Sequence, residues 1–194
     1  MAAFIRVDST AEASASGIGR ERPLEVAEVH AAHADLVWRS LARLGVRNDD
    51  LPDMLQEVFL VVHRRGGSYD GSSKLTSWLF GICLRVAAGY RRRAHRRHER
   101  PLQSAAEPVA AAELGPEQAL AQKQARARLA QVLDGMPLDK RAIFVMFEVD
   151  AMSCAEIAGT LEIPIGTVHS RLSAAREAFE ASLRRENARG GRRP

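Results

Sequence analysis

Seven arginines stand between Arg85 and Arg100 against a single acid, Glu99. Guanidinium groups at that density neutralise phosphates and displace their counterions, so the run has the charge pattern of a nucleic-acid contact. Cations also gather where a helix ends and its carbonyls are unpaired, and charge alone leaves both origins open. A second set, Ile165, Gly166, Thr167, His169, Ser170 and Arg171, puts small, polar and basic side chains at the head of a helical stretch. A recognition helix offers such a first turn to base edges in a major groove. A third set falls on one helical face, with Asp53, Gln56, Glu57, Leu60 and Arg64 at i, i+3, i+4, i+7 and i+11. An apolar residue among charges suits a protein interface better than a solvated face.

Catalytic patterns are missing. The chain has no Gly-rich phosphate loop, no HExxH and no convincing nucleophile–base set. His95 and His98 lie at i, i+3 inside the arginine run, without the carboxylate or thiol partners a metal would need. Cys83 and Cys154 are too few for a disulfide framework. Cys83 falls in an apolar stripe, whereas Cys154 opens a helix, where a thiol can be acidified. No enzymatic activity, cofactor, metal or small-molecule substrate is therefore expected.

Composition narrows the class further. The 194 residues carry 28 Lys and Arg against 24 Asp and Glu, a net charge of +4. That charge is uneven: −2 over residues 1–30, +6 over 31–100, −1 over 101–134 and +1 over 135–194. The hydrophobic fraction of 46% supports a core, and an aromatic fraction of 5% argues against a base-stacking single-strand binder. No stretch approaches the roughly 20 apolar residues that span a bilayer. Arg6, Asp8 and Glu12 interrupt what would be a signal core. A cytoplasmic protein without direct membrane insertion is expected.

The elements that position these residues are all helical. Val37, Leu41 and Leu44 at i, i+4, i+7 mark a helix from Val29 to about Leu44, stopped by Gly45. A second runs from Pro52 to Arg65 with Leu55, Val58, Phe59 and Val62 inward, and a third from Leu75 to Arg93 with Leu79, Ile82, Cys83, Val86 and Tyr90 inward. Trp78, Gly81, Arg85 and Arg92 share the flank of this third helix away from its core stripe. Glu117–Leu133 and Asp139–Glu148 continue the series. Ser153 and Glu156 spell a capping box before a short helix, and after a three-residue turn Pro164 stands at the start of the last. Three prolines and five alanines between Pro101 and Pro116 read as a linker. The expected fold is all-α: two small helical domains joined by a flexible linker, the second a helix-turn-helix domain. The boundaries expected are a mobile leader at 1–28, a first domain at 29–100, a linker at 101–116, a second domain at 117–185 and a basic tail at 186–194.

The wording of two segments is specific. Ser153–Phe179, SCAEIAGTLEIPIGTVHSRLSAAREAF, resembles region four of the bacterial sigma factors of the extracytoplasmic-function (ECF) group. Its GTV-x-SRL-x-x-AR core runs from Gly166 to Arg176. DMLQEVFL at 53–60 and SYDGSSKLTSWLFGI at 68–82 resemble region two. Their order, and the lack of an intervening region three, match the ECF pattern over roughly residues 30–185.

The resemblance implies a factor that directs core RNA polymerase to promoters and helps melt the minus-ten element. Asp53, Gln56, Glu57, Leu60 and Arg64 would dock on the clamp helices of the polymerase β′ subunit, and region four would also meet the β flap. Ser68, Tyr69, Asp70, Ser73 and Lys74 would form the loop that captures a flipped base, with Trp78, Phe80 and Arg85 lining the site and Arg91 and Arg92 holding phosphates. Pro164, Gly166, Thr167, His169, Ser170, Arg171 and Arg176 would grip the minus-thirty-five element. An anti-sigma partner is implied as well. Four positions depart from the common pattern: His169 for Lys or Arg, Ala174 for a frequent Arg, Glu162 at a turn position that often holds Gly, and Arg85 where many relatives carry Asn. The alternative is a conventional helix-turn-helix regulator that binds duplex DNA without joining polymerase. Such regulators share the EIA-to-TV stretch but lack the SRL-x-x-AR continuation and the upstream DxxQEVF helix.

Overall fold

The computed structural model describes residues 24–96 and 116–190. Seven α-helices succeed one another there: α1 Val26–Arg43, α2 Leu51–Arg65, α3 Leu75–Arg96, α4 Pro116–Asp134, α5 Leu138–Phe144, α6 Cys154–Leu161 and α7 Ile165–Gly190. All but the last residue of the expected linker at 101–116, most of the leader, His98, Arg97 and Arg100 lie outside the described residues.

Three helices make the first domain. The expected stripes meet in one core: Val37, Leu41 and Leu44 from α1 and its end, Val58, Phe59 and Val62 from α2, and Leu79, Ile82, Cys83 and Val86 from α3 are all buried. Each such side chain contributes about 1.5–3 kcal/mol by leaving water. Pro52 stands in the first turn of α2, where its missing amide proton costs nothing. Two boundaries move. Helix α1 begins inside the segment expected to be leader, because Val29 is buried and Leu24 packs against Gly66. Helix α3 runs on to Arg96, since no breaker interrupts the arginines.

The second domain is α4 to α7. Phe144 and Phe179 stack with ring centroids 4.3 Å apart, and Ile157, Val168, Leu172 and Ala175 close the core around them. The apolar helix expected over 139–148 ends its α-helical part at Phe144 and continues as a π-helical turn over Val145–Val149. The expected capping box forms: the Glu156 amide donates to Ser153 Oγ at 3.2 Å and the Ser153 amide to Glu156 Oε2 at 2.8 Å. Pro164 takes the cap position of α7 rather than its first turn, and its carbonyl accepts from the Thr167 and Val168 amides. The tail expected from 186 is helical to Gly190, because residues 180–189 hold no glycine or proline.

The two domains touch. Arg141 of α5 is fully buried and donates to the last carbonyls of α1: its Nε to Arg43 O and its Nη2 to Ala42 O at 3.5 Å. Its Nη1 meets Asp134 at 2.8 Å. Burial pushes the Arg141 guanidinium down from its ordinary value, and Asp134 opposes that shift. Gly45 makes the approach possible in two ways. It turns the chain at φ +92°, and a Cβ there would lie 3.0 Å from Arg141 Nη1 and 3.1 Å from Arg91 Nη1. Beside it Arg43 pairs with Asp150 at 2.6 Å. Burial pushes Arg43 down and Asp150 up, and each partner opposes the other's shift.

Candidate nucleic-acid interface

The head of helix α7 carries the residues expected to form the second domain's recognition surface. Val168 and Leu172 point into the core and anchor the helix, which turns Ile165, Gly166, His169, Ser170 and Arg171 outward as a group. Ile165 is half exposed at 50%, Thr167 is partly buried, and Ser170 Oγ donates to the Thr167 carbonyl at 3.0 Å. His169 Nδ1 lies 3.9 Å from Cys154 Sγ. Arg176 is exposed as well; its Nε bonds Glu148 at 2.7 Å and its guanidinium lies 5.3 Å from the Phe147 ring centroid, which fixes its position on the surface. Pro164 is exposed beside Gly166 at the mouth of the same surface.

The turn between α6 and α7 is made by Glu162 at φ +54°, ψ +44°, a conformation that a β-carbon disfavours. It lets the Ile163 amide return to the Ala158 carbonyl at 3.1 Å and ends α6.

In the first domain the loop from Ser68 to Lys74 is internally braced. Ser68 Oγ donates to Arg65 O at 2.7 Å, the Ser72 amide to Asp70 Oδ1 at 2.9 Å, and Tyr69 Oη to Ser73 O at 2.5 Å. The Tyr69 ring leans on Trp78 of α3 with centroids 5.3 Å apart, which fastens the loop to the helix. Burial first, and Asp70 second, push the Tyr69 phenol up, keeping it a proton donor. Gly71 at φ +71° turns the loop tip. Arg85 and Arg92 are exposed, and Trp78 is half-buried. Phe80 does not belong to this surface: it is 3% exposed and packs in the core, because it follows Leu79 on the buried side of α3. Arg91 is half-buried beside Gly45 and Arg141, away from open solvent.

The outer face of α2 is as patterned. Asp53, Gln56, Leu60 and Arg64 are exposed, Leu60 by 48%. Glu57 is instead tied to Arg93 of α3 at 3.1 Å, and Arg93 also reaches Met54 Sδ at 3.7 Å. Nearby Tyr90 donates to Asp50 at 2.6 Å, and burial together with that bond pushes its phenol up to about 12. Among the described residues no group of His, Cys, Asp or Glu is placed to hold a metal, and no helix is long and apolar enough to cross a membrane. Cys83 is buried, and its surroundings push the thiol well above its ordinary range.

Arg141, which meets the end of α1, and Glu162, which meets Arg85 at 3.7 Å, carry no mark of these contacts in the sequence. Their roles depend on partners far away in the chain, for which a local pattern carries no signal.

Comparison with known proteins identifies both domains. Residues 29–97 match the family described as Sigma-70 region 2, and residues 126–179 that described as Sigma-70, region 4. The chain is 30% identical over 151 residues to the ECF RNA polymerase sigma-E factor of Escherichia coli strain K12, covering 73% of this chain and 78% of that protein. It is 31% identical to the ECF RNA polymerase sigma factor SigE of Mycolicibacterium smegmatis, covering 78% of this chain and 58% of that one. In fold it is similar to the sigma factor RpoE of Bartonella quintana, solved with the anti-sigma factor NepR, at a TM-score of 0.61 and 19% identity over 81% of this chain and 96% of that one. It is also similar to CnrH, solved with the cytosolic domain of CnrY, at a TM-score of 0.58 and 21% identity over 81% of this chain and 86% of that one.

Proposed function

The chain belongs to the sigma-70 family as an ECF RNA polymerase sigma factor, and from that membership we propose how its surfaces divide the work of initiation. The outer face of α2, with Asp53, Gln56, Leu60 and Arg64, docks on the β′ clamp helices of core polymerase. Leu60, an exposed apolar side chain ringed by polar ones, is its centre. The Ser68–Lys74 loop with Trp78, Arg85 and Arg92 receives the non-template strand of the minus-ten element. A flipped base costs a few kcal/mol to unstack, which Tyr69, Trp78 and the loop's polar groups offset. The first turn of α7, with Gly166, Thr167, His169, Ser170 and Arg171, enters the minus-thirty-five major groove.

The observation that carries this division is the outward set on α7 combined with the exposed α2 face in one chain. A helix-turn-helix regulator acting alone needs only the first of these. The factor acts in the cytoplasm as an initiation subunit with no catalytic site of its own, and the β flap receives the second domain. The sigma factor RpoE of Bartonella quintana, similar in fold, is solved with the anti-sigma factor NepR, which supports an anti-sigma partner for this chain as well. Run-off transcription with purified core polymerase and a library of genomic fragments tests the proposal. Promoter-specific transcripts are expected; no transcript from any fragment, together with no co-purification of polymerase, overturns it.

A further inference from the structure

A carboxylate stands beside one of the cations expected to hold the minus-thirty-five duplex. Arg176 lies on α7 seven residues after His169, so the two share a flank of the helix. It is also ten residues after Gly166, about 15 Å along the axis. A major groove is about 8.5 Å deep. With the first turn of α7 at its floor, a side chain that far along reaches the phosphates of the rim rather than the bases. Arg176 Nε donates to Glu148 Oε1 at 2.7 Å, and the guanidinium lies 5.3 Å from the Phe147 ring centroid. Among the described residues Nε is the one nitrogen of that guanidinium with a hydrogen-bond partner, and the side chain stays 52% exposed.

The seat of this arginine is unusual backbone. Phe147 and Glu148 belong to the π-helical turn Val145–Val149, a rare winding that recurs at functional sites. Ala151 follows it at φ +52°, where a β-carbon is disfavoured. Val145 and Met146 bury the inner side of the turn, and Phe147 packs partly against the core. The turn is thus anchored, and the long arginine is the member that would otherwise wander.

We propose that Glu148, backed by Phe147, is a positioning residue for promoter recognition: it fixes the Arg176 guanidinium at the lip of the recognition surface before DNA arrives, leaving both Nη groups for a phosphate. This role rests on reading the head of α7 as the minus-thirty-five surface. Fixing a rotamer-rich side chain in advance removes an ordering cost that binding would otherwise carry. The carboxylate meanwhile cancels the long-range attraction of the cation, so a phosphate gains only where it meets the Nη groups in register. Loose attraction to any duplex falls, and preference for the correct one rises. A pair this exposed adds little to folding.

Full-length Glu148→Ala, Glu148→Gln, Arg176→Ala and the double alanine chain test this. Two probes are used. Holoenzyme is titrated on the genomic fragment that gives the strongest run-off transcript with the unsubstituted chain. The chain alone is titrated by anisotropy on a 30-base-pair duplex of scrambled sequence across a potassium chloride series. Arg176→Ala is expected to weaken holoenzyme binding to the fragment about tenfold. Glu148→Ala is expected to weaken it about threefold, yet to tighten binding to the scrambled duplex and steepen its salt slope by about 0.9, one uncovered charge. Glu148→Gln keeps an acceptor for Nε and is expected to restore fragment binding while retaining the steeper slope. In the Arg176→Ala background Glu148→Ala is expected to change neither probe. The proposal is overturned by a Glu148→Ala effect that persists in that background, or by Arg176→Ala leaving fragment binding unchanged. Equal weakening on both probes, with Glu148→Gln no better, overturns it too. Absence of any transcript from the unsubstituted chain overturns the initiation reading instead.

Discussion

Glu162 and Arg85 are 3.7 Å apart, one on the turn of the helix-turn-helix and the other on the flank of α3. Glu162 holds its place in the left-handed region, where a β-carbon is disfavoured. Glu162→Gly is expected to stabilise the second domain by about 1 kcal/mol in urea denaturation, because the strain relieved exceeds an exposed ion pair. The same substitution loosens the contact with α3. It thus separates fold stability from domain closure.

Arg141 offers the opposite case. It is fully buried with Asp134 and two α1 carbonyls as its partners. Arg141→Ala removes the buried guanidinium that joins all three and is expected to cost about 3 kcal/mol in urea denaturation. Arg141→Lys recovers little of it, since one ammonium cannot replace a planar fork serving three acceptors.

The cap of α6 carries a pH dependence of definite sign. Hydrogen bonds from the Ser153 amide and hydroxyl, with Lys74 beside them, hold the Glu156 carboxyl below its ordinary value of 4.5. A depressed acid contributes stability that is present above its unfolded value and lost as pH falls through the folded one. Thermal unfolding between pH 6 and pH 3 should show this loss below about 4.5. Glu156→Gln should flatten it.

His169 is exposed on the first turn of α7. His169→Arg should tighten binding to a 30-base-pair duplex and steepen its salt dependence by about 0.9 in log–log slope, one more phosphate's worth. Fluorescence anisotropy across a potassium chloride series measures both.

The two cysteines should separate cleanly. Cys83 is buried and its thiol pushed up, whereas Cys154 is partly exposed. Ellman's reagent should modify one thiol per native chain quickly, and the second only after denaturation.

Most helices and both cores were legible because they repeat apolar residues at helical spacing, which is a local signal. Val37, Leu41, Val58, Leu79 and Val168 all fall where that spacing puts them. The capping box at Ser153 was legible for the same reason. Phe80 reads as a site residue by motif position, yet core packing claims it, because the motif carries no account of which side of α3 the core takes. The domain contact left no trace in the sequence. Its partners are separated by 98 residues between Arg43 and Arg141, and each looks locally like an ordinary surface charge.

That separation has a consequence for synthesis. A ribosome adding about 5–20 residues per second delivers Arg141 several seconds to tens of seconds after Arg43. During that interval the nascent first domain presents the end of α1 to water, with no donor from downstream. Helices α1 to α3 must therefore hold together on their own packing, and the seam between the domains closes only after most of the chain has been made.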